Sequence, residues 1–145
     1  MKNSGLKIKT ENGITYVYDI VRRKYLVLTP EEKVRQTFLH FLISGLGFSR
    51  SLIQTEQATH YHSLNKRTDI LVFDRDGHPF LLVECKAPGV KISAGVVEQA
   101  SRYNFTLRAP YLCITNGKNT YCFHTDFEAG TTTQLAALPK PDARG

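Results

Sequence analysis

The apolar run Pro79-Phe80-Leu81-Leu82-Val83 ends in Glu84-Cys85-Lys86, so two opposite charges close a strand-like segment. Period-two alternation puts Glu84 and Lys86 on one face and Cys85 on the other. A second apolar run, Asp69-Ile70-Leu71-Val72-Phe73, precedes it across the turn residues Asp74 to Pro79. A hairpin turning near Arg75 to His78 brings Asp69 to the Glu84–Lys86 end of its partner. Two carboxylates and an ammonium at one sheet end suit a hard divalent cation such as Mg²⁺, which takes oxygen ligands and keeps several waters. The lysine can then orient or activate water. Taken alone, the same three groups also describe an exposed ion pair at a strand end beside an ordinary strand-start acid.

The elements that must position these groups follow from pattern. In ITYVYDIVRRKYLVL, the β-branched and aromatic residues on either side of Arg22-Arg23-Lys24 predict two extended segments or a hairpin. Thr29-Pro30-Glu31-Glu32 then reads as a helix start. Thr29 can cap, Pro30 suits the first helical position, and Glu32 completes a T-x-x-E capping box. Val34, Phe38, Phe41 and Leu42 recur at helical spacing, and Ser44-Gly45 and Gly47 weaken the run, so helix one covers roughly residues 30–45. SLIQTEQATHYH has strand character with a polar exit. After the hairpin, Ala87-Pro88-Gly89 stops the strand, and Val96, Ala100, Tyr103 and Leu107 mark helix two. YLCIT and TYCFH flank Asn116-Gly117-Lys118-Asn119, a second hairpin signal. The order is an α/β domain with a central mixed sheet flanked by helices, spanning residues 1–145, with 1–10 and 129–145 as peripheral or flexible ends.

Asp69, then fourteen residues, then Glu84-x-Lys86, behind a helix opening Pro30-Glu31-Glu32, resembles the PD-(D/E)xK nuclease superfamily. The blocks YDIVRRKYLVLTPEEKVRQ, RTDILVF, LLVECKAPGV, VVEQASRYN and YLCITNGKNTYCF, in that order, are similar to the amino-terminal nuclease domain of type I restriction enzyme R subunits, and to its small stand-alone relatives. The resemblance runs from about residue 17 to 124. An isolated D…ExK pattern is frequent by chance, whereas five ordered blocks on the expected helices and strands are specific.

The resemblance implies a restriction-endonuclease-like core and Mg²⁺-dependent hydrolysis of DNA phosphodiester bonds, with Mn²⁺ as a substitute. By matching position, Asp69 and Glu84 ligate the metal, the Cys85 backbone carbonyl adds a ligand, and Lys86 positions the attacking water. Glu31 matches the helix-one acid through its Glu-x-x-Val spacing; Glu32 is the second choice for that role, because the capping box already employs it. Gln99 and Tyr103, one helical turn apart, match a Q-x-x-x-Y element that orients DNA. Thr68 stands where the superfamily often has proline. Arg67, Lys91, Arg102 and Arg35 are the candidate phosphate contacts. Each has an ordinary reading as well: Glu31 as a favourable first-turn acid, Tyr103 as packing, Gln99 as a solvated residue. Cys85 reads as core, and His60, His62, His78 and His124 fit no metal spacing.

Composition bounds these readings. A chain of 145 residues has room for one core and for no separate motor or recognition domain. Nineteen basic against thirteen acidic residues give a net charge of +6, which permits a polyanionic partner without requiring one. Cys85, Cys113 and Cys122, an odd number without a CxxC pair, argue against a disulfide framework or zinc cluster. No run matches a signal peptide or a bilayer span, which predicts a soluble cytoplasmic protein. The partners expected are DNA and either a second copy or a separate protein supplying specificity. Two other classes remain: a non-catalytic nucleic-acid-binding or assembly module on the nuclease fold, and an interaction domain with an incidental charge cluster.

Overall fold

The computed structural model describes residues 5–58 and 67–141. Three strands, β1 (Ile8–Glu11), β2 (Ile14–Asp19) and β3 (Lys24–Val27), form a small antiparallel sheet. Six more form the main sheet in the order β4 (Ile53–Ala58), β5 (Arg67–Phe73), β6 (Pro79–Cys85), β7 (Tyr111–Thr115), β8 (Thr120–Asp126) and β9 (Thr131–Leu135). All neighbours are antiparallel except β6 and β7, which run parallel because α2 (Ala94–Leu107) carries the chain across between them. The α/β class with a mixed sheet read from the pattern is the one observed.

The central strands are apolar on both faces, and the sheet is covered on both. Ile70, Val72, Leu81, Val83 and Cys113 pack on one side with Val34, Phe38 and Leu39 of α1 (Pro30–His40). Leu71, Leu82, Leu112 and Ile114 pack on the other with Ala100, Val96 and Tyr103 of α2. Alternation along β5, β6 and β7 thus divides one run of residues between two cores. Beyond His40 the helix widens into a π turn over Phe41–Gly45, close to the end expected from its glycines. Phe41, whose helical spacing matched the core positions, is 43% exposed there, and Leu42 is fully buried.

Two strands lie where the sequence offered only peripheral ends. The first, β1, is joined to β2 through Asn12 and Gly13, both at positive φ, and this Asn-Gly pair was the available hairpin signal. The other, β9, reads TTTQL, is mostly exposed, and edges the main sheet beside β8. Polar edge strands lack the alternation that marks a half-buried one. The expected extension of the Ile53 strand beyond Ala58, with His60 and His62, lies outside the described residues. Among the described residues, no helix is long and apolar enough to cross a membrane.

Two local devices hold the elements that present the site. Thr29 caps α1, its hydroxyl accepting the Glu32 N–H at 3.0 Å, and Pro30 occupies the first turn. Asp19, fully buried at the end of β2, accepts the N–H groups of Val21 and Arg22 and the Thr55 hydroxyl, tying the small sheet to β4. Thr29→Ala should cost about 1 kcal/mol of stability, the usual loss on removing an N-cap. Urea denaturation of the two proteins measures it, and an unchanged midpoint would exclude a capping role for the hydroxyl.

Candidate functional site

The β5–β6 register pairs Ile70 with Val83, so one further step puts Asp69 beside Glu84. Both acids are 7% exposed. Asp69 Oδ2 accepts the backbone N–H of Cys85 at 2.7 Å, a bond that pins the acid to the partner strand. Lys86 Nζ lies 3.3 Å from Glu84 Oε2, with 30% of its side chain exposed. Its backbone N–H donates to the Thr115 carbonyl at 2.8 Å, which extends the parallel ladder past Cys85. Asp69, Glu84 and Lys86 therefore come together at one end of the central strands, with the Cys85 backbone between them.

Helix α1 contributes through its buried face. Glu32, Arg35, Gln36 and Leu39 fall at i, i+3, i+4 and i+7 and are all buried. Arg35 Nη2 donates to Asp69 Oδ1 at 2.7 Å, and Arg35 Nη1 donates to Glu32 Oε1. Gln36 Nε2 donates to Glu32 Oε2 at 2.8 Å. Glu31 stands on the rim, its side chain 47% exposed and 3.9 Å from Arg35.

This differs from the sequence reading in two respects. Glu31, matched as the helix-one acid by position, lies at the rim near the Arg35 nitrogen that bonds Asp69, whereas both oxygens of Glu32, the acid a capping box would employ, are hydrogen-bonded inward to Arg35 and Gln36. Arg35, expected to meet phosphate, is 6% exposed with its guanidinium against carboxylates. Gln36, fully buried beside Glu32, was not singled out. The signal that could have found this set is the polar i, i+3, i+4 stripe continued by Leu39 on a helix otherwise apolar on that side.

Burial raises the Asp69 carboxyl to about 6. Arg35 opposes the rise through its hydrogen bond and charge, the Glu84 charge adds to it, and the Cys85 N–H works against it. An acid desolvated next to a second carboxylate favours a positive partner, and Asp69, Glu84 and the Cys85 carbonyl are the groups that could hold a divalent ion here. The Cys85 thiol is fully buried, and burial pushes its ionisation well up, so it offers no thiolate nucleophile. A different group of possible ligands, Asp74, Asp76 and His78, sits in the exposed β5–β6 turn. There Asp74 Oδ1 accepts the N–H groups of Asp76 and His78, which is turn chemistry.

The remaining expected DNA contacts differ in exposure. Gln99 and Lys91 are exposed, and Arg102 is exposed in an ion pair with Glu98 at 3.1 Å. Tyr103 is half-buried against the core under α2. Arg67 opens β5 opposite Ala58, and its side chain lies outside what is described.

A family model for the type I restriction enzyme R protein N terminus matches residues 30–139. A solved fragment described as an HsdR subunit of a type I restriction enzyme from Vibrio vulnificus YJ016 shares the fold, with a TM-score of 0.55 at 23% identity over 79% of this chain. The match covers 24% of that fragment, so this chain spans a minor part of its length. No curated protein matches.

The raised Asp69 carboxyl has a defined consequence for metal-free protein. Between about pH 4 and pH 6 the folded state holds a proton that the unfolded state has released, so stability falls as pH rises through that window. Asp69→Asn removes the titration. The stability advantage of wild type over the variant should shrink by up to about 3 kcal/mol from pH 4 to pH 7, two units at 1.36 kcal/mol each. Urea denaturation across that range, with chelator present, measures the difference, and a pH-independent difference would contradict the assignment.

Proposed function

Because the chain belongs to the family of type I restriction enzyme R protein N termini, we propose that it is a metal-dependent nuclease hydrolysing DNA phosphodiester bonds. The observation that carries the reading is the convergence of Asp69, Glu84 and Lys86 at one strand end, with Asp69 held by the Cys85 N–H. Asp69, Glu84 and the Cys85 carbonyl would hold Mg²⁺, or Mn²⁺ in its place, with Glu31 as the further acid from helix one, near the Arg35 nitrogen that also bonds Asp69. Bound there, the ion would neutralise phosphate charge, acidify a water and stabilise the leaving oxygen.

The chain's own residues supply the rest. The Lys86 ammonium, part-exposed beside Glu84, would orient the attacking water and offset charge building on the phosphate. The Asp69–Cys85 bond keeps the carboxylate on the strand end, so the ligand geometry is set before substrate arrives. Gln99 and Tyr103 would orient DNA, and Lys91, Arg102 and Arg67 would contact phosphates, each weakly and with salt dependence. Arg35 leaves that group because it is buried. Substrate choice then comes from a second copy, a partner protein or DNA structure. A cytoplasmic location accords with this reading.

Linear duplex, single-stranded and branched DNA with Mg²⁺ or Mn²⁺ form the test. Wild type should cleave at least one substrate, and Glu84→Ala and Lys86→Ala should each lower the rate by about 100-fold or more while remaining folded. Metal binding by wild type without cleavage of any substrate would leave a non-catalytic module on the nuclease fold, and unaltered cleavage by both variants would place the chemistry elsewhere.

A further inference from the structure

Among the described ion pairs, this end of the sheet gathers several carboxylates around Arg35 and Lys86. Glu31, Glu32, Asp69 and Glu84 contribute four carboxylates, while Arg35 and Lys86 contribute two cations. Most of this charge is inside the molecule: Glu32, Asp69 and Glu84 are each 7% exposed or less, and Arg35 is 6% exposed. A buried carboxylate is costly without a cation or donors to offset it.

Arg35 is the offset built into the chain. One guanidinium nitrogen takes Glu32 Oε1 and another takes Asp69 Oδ1 at 2.7 Å, so a single side chain joins helix α1 to strand β5 across the site. Asp69 Oδ2 is already engaged by the Cys85 N–H. A metal on Asp69 must therefore share its oxygens with one of these donors, and only the guanidinium carries a full positive charge. Resting on the metal-dependent reading above, we propose that Arg35 is an internal counter-cation. It holds the carboxylate cluster together in metal-free protein and competes with the incoming divalent ion for Asp69.

Two consequences separate this role from ordinary structural support. Removing the charge should weaken the metal-free fold and at the same time strengthen metal binding, because the carboxylates lose their only buried positive neighbour among the described ion pairs. A residue that merely shaped the site would weaken both. Arg35 also acts on metal occupancy without touching DNA, which gives the site a built-in threshold for divalent ion.

The test compares wild type with Arg35→Met, which keeps length without charge, and Arg35→Lys, which keeps the charge. Mn²⁺ titration calorimetry and urea denaturation with and without Mn²⁺ are the readouts. Arg35→Met should bind Mn²⁺ on the order of tenfold more tightly than wild type, the scale of one nearby like charge in a partly screened site. It should also unfold at lower urea without metal and regain more stability on adding it, with Arg35→Lys close to wild type. A folded Arg35→Met protein binding Mn²⁺ no more tightly than wild type would overturn the proposal. Should Arg35→Met be unfolded without metal, refolding on saturating Mn²⁺ supports the role, and failure to refold while Arg35→Lys folds overturns it. Absence of Mn²⁺ binding by wild type and Arg35→Met alike would instead remove the metal-dependent reading itself.

Discussion

The Asp69 carboxylate is held inside the protein by two donors from different elements, and the placement of much else follows from that. The Cys85 N–H comes from the neighbouring strand and the Arg35 guanidinium from the helix above. An ionised acid at 7% exposure persists because both oxygens are engaged. For both donors to arrive, β5 and β6 must pair in one register and α1 must present Arg35 rather than a neighbour to the sheet. A slip of one residue in the hairpin would send Asp69 to the other face. A rotation of the helix would bring Lys33 or Thr37 to the sheet in its place.

The apolar packing enforces these conditions. Ile70 and Val72 enter one core and Leu71 the other, so a slip would force each side chain into a core packed around a different one. Val34, Phe38 and Leu39 fix the rotation of α1 in the same way, and Thr29 fixes where its first turn begins. The polar stripe of Glu32, Arg35 and Gln36 then sits where the helix overhangs the strand end. The parallel β6–β7 pair completes the arrangement, since Lys86 continues its ladder through Thr115 and leaves its side chain beside Glu84. The catalytic candidates thus occupy the margin where a core covered on both faces gives way to solvent, which is where charged groups can be desolvated enough to act and still reach a substrate.

Placement of the cations follows the same balance. Lys86 keeps its ammonium part-exposed, the arrangement expected of a flexible, strongly hydrated group. Arg35 is buried, and its planar fork satisfies two carboxylates from one position. A charge count along the chain does not distinguish these two environments. The net charge of +6 is likewise compatible with a site that is locally acidic.

Local pattern by itself determined a good deal. The hairpin of two apolar runs around a turn, the capped helix beginning at Pro30, the second helix and the closing hairpin are written in spacing of two and of 3.6, and the pairing of Asp69 with Glu84 and Lys86 follows once the hairpin is drawn. The family was legible in the ordered blocks for the same reason, because each block is a local element with its own pattern. Tertiary structure decided what spacing cannot carry. Glu31 and Glu32 are adjacent and chemically alike, and which one turns inward depends on how α1 packs on the sheet. Arg35 looks like any surface arginine until Asp69, 34 residues away, closes on it. The edge strands β1 and β9 form because a neighbouring strand offers free hydrogen-bonding groups, with little help from their own exposed side chains. Contacts within one element leave a period in the sequence, whereas the balance of buried charge is settled between elements and leaves none.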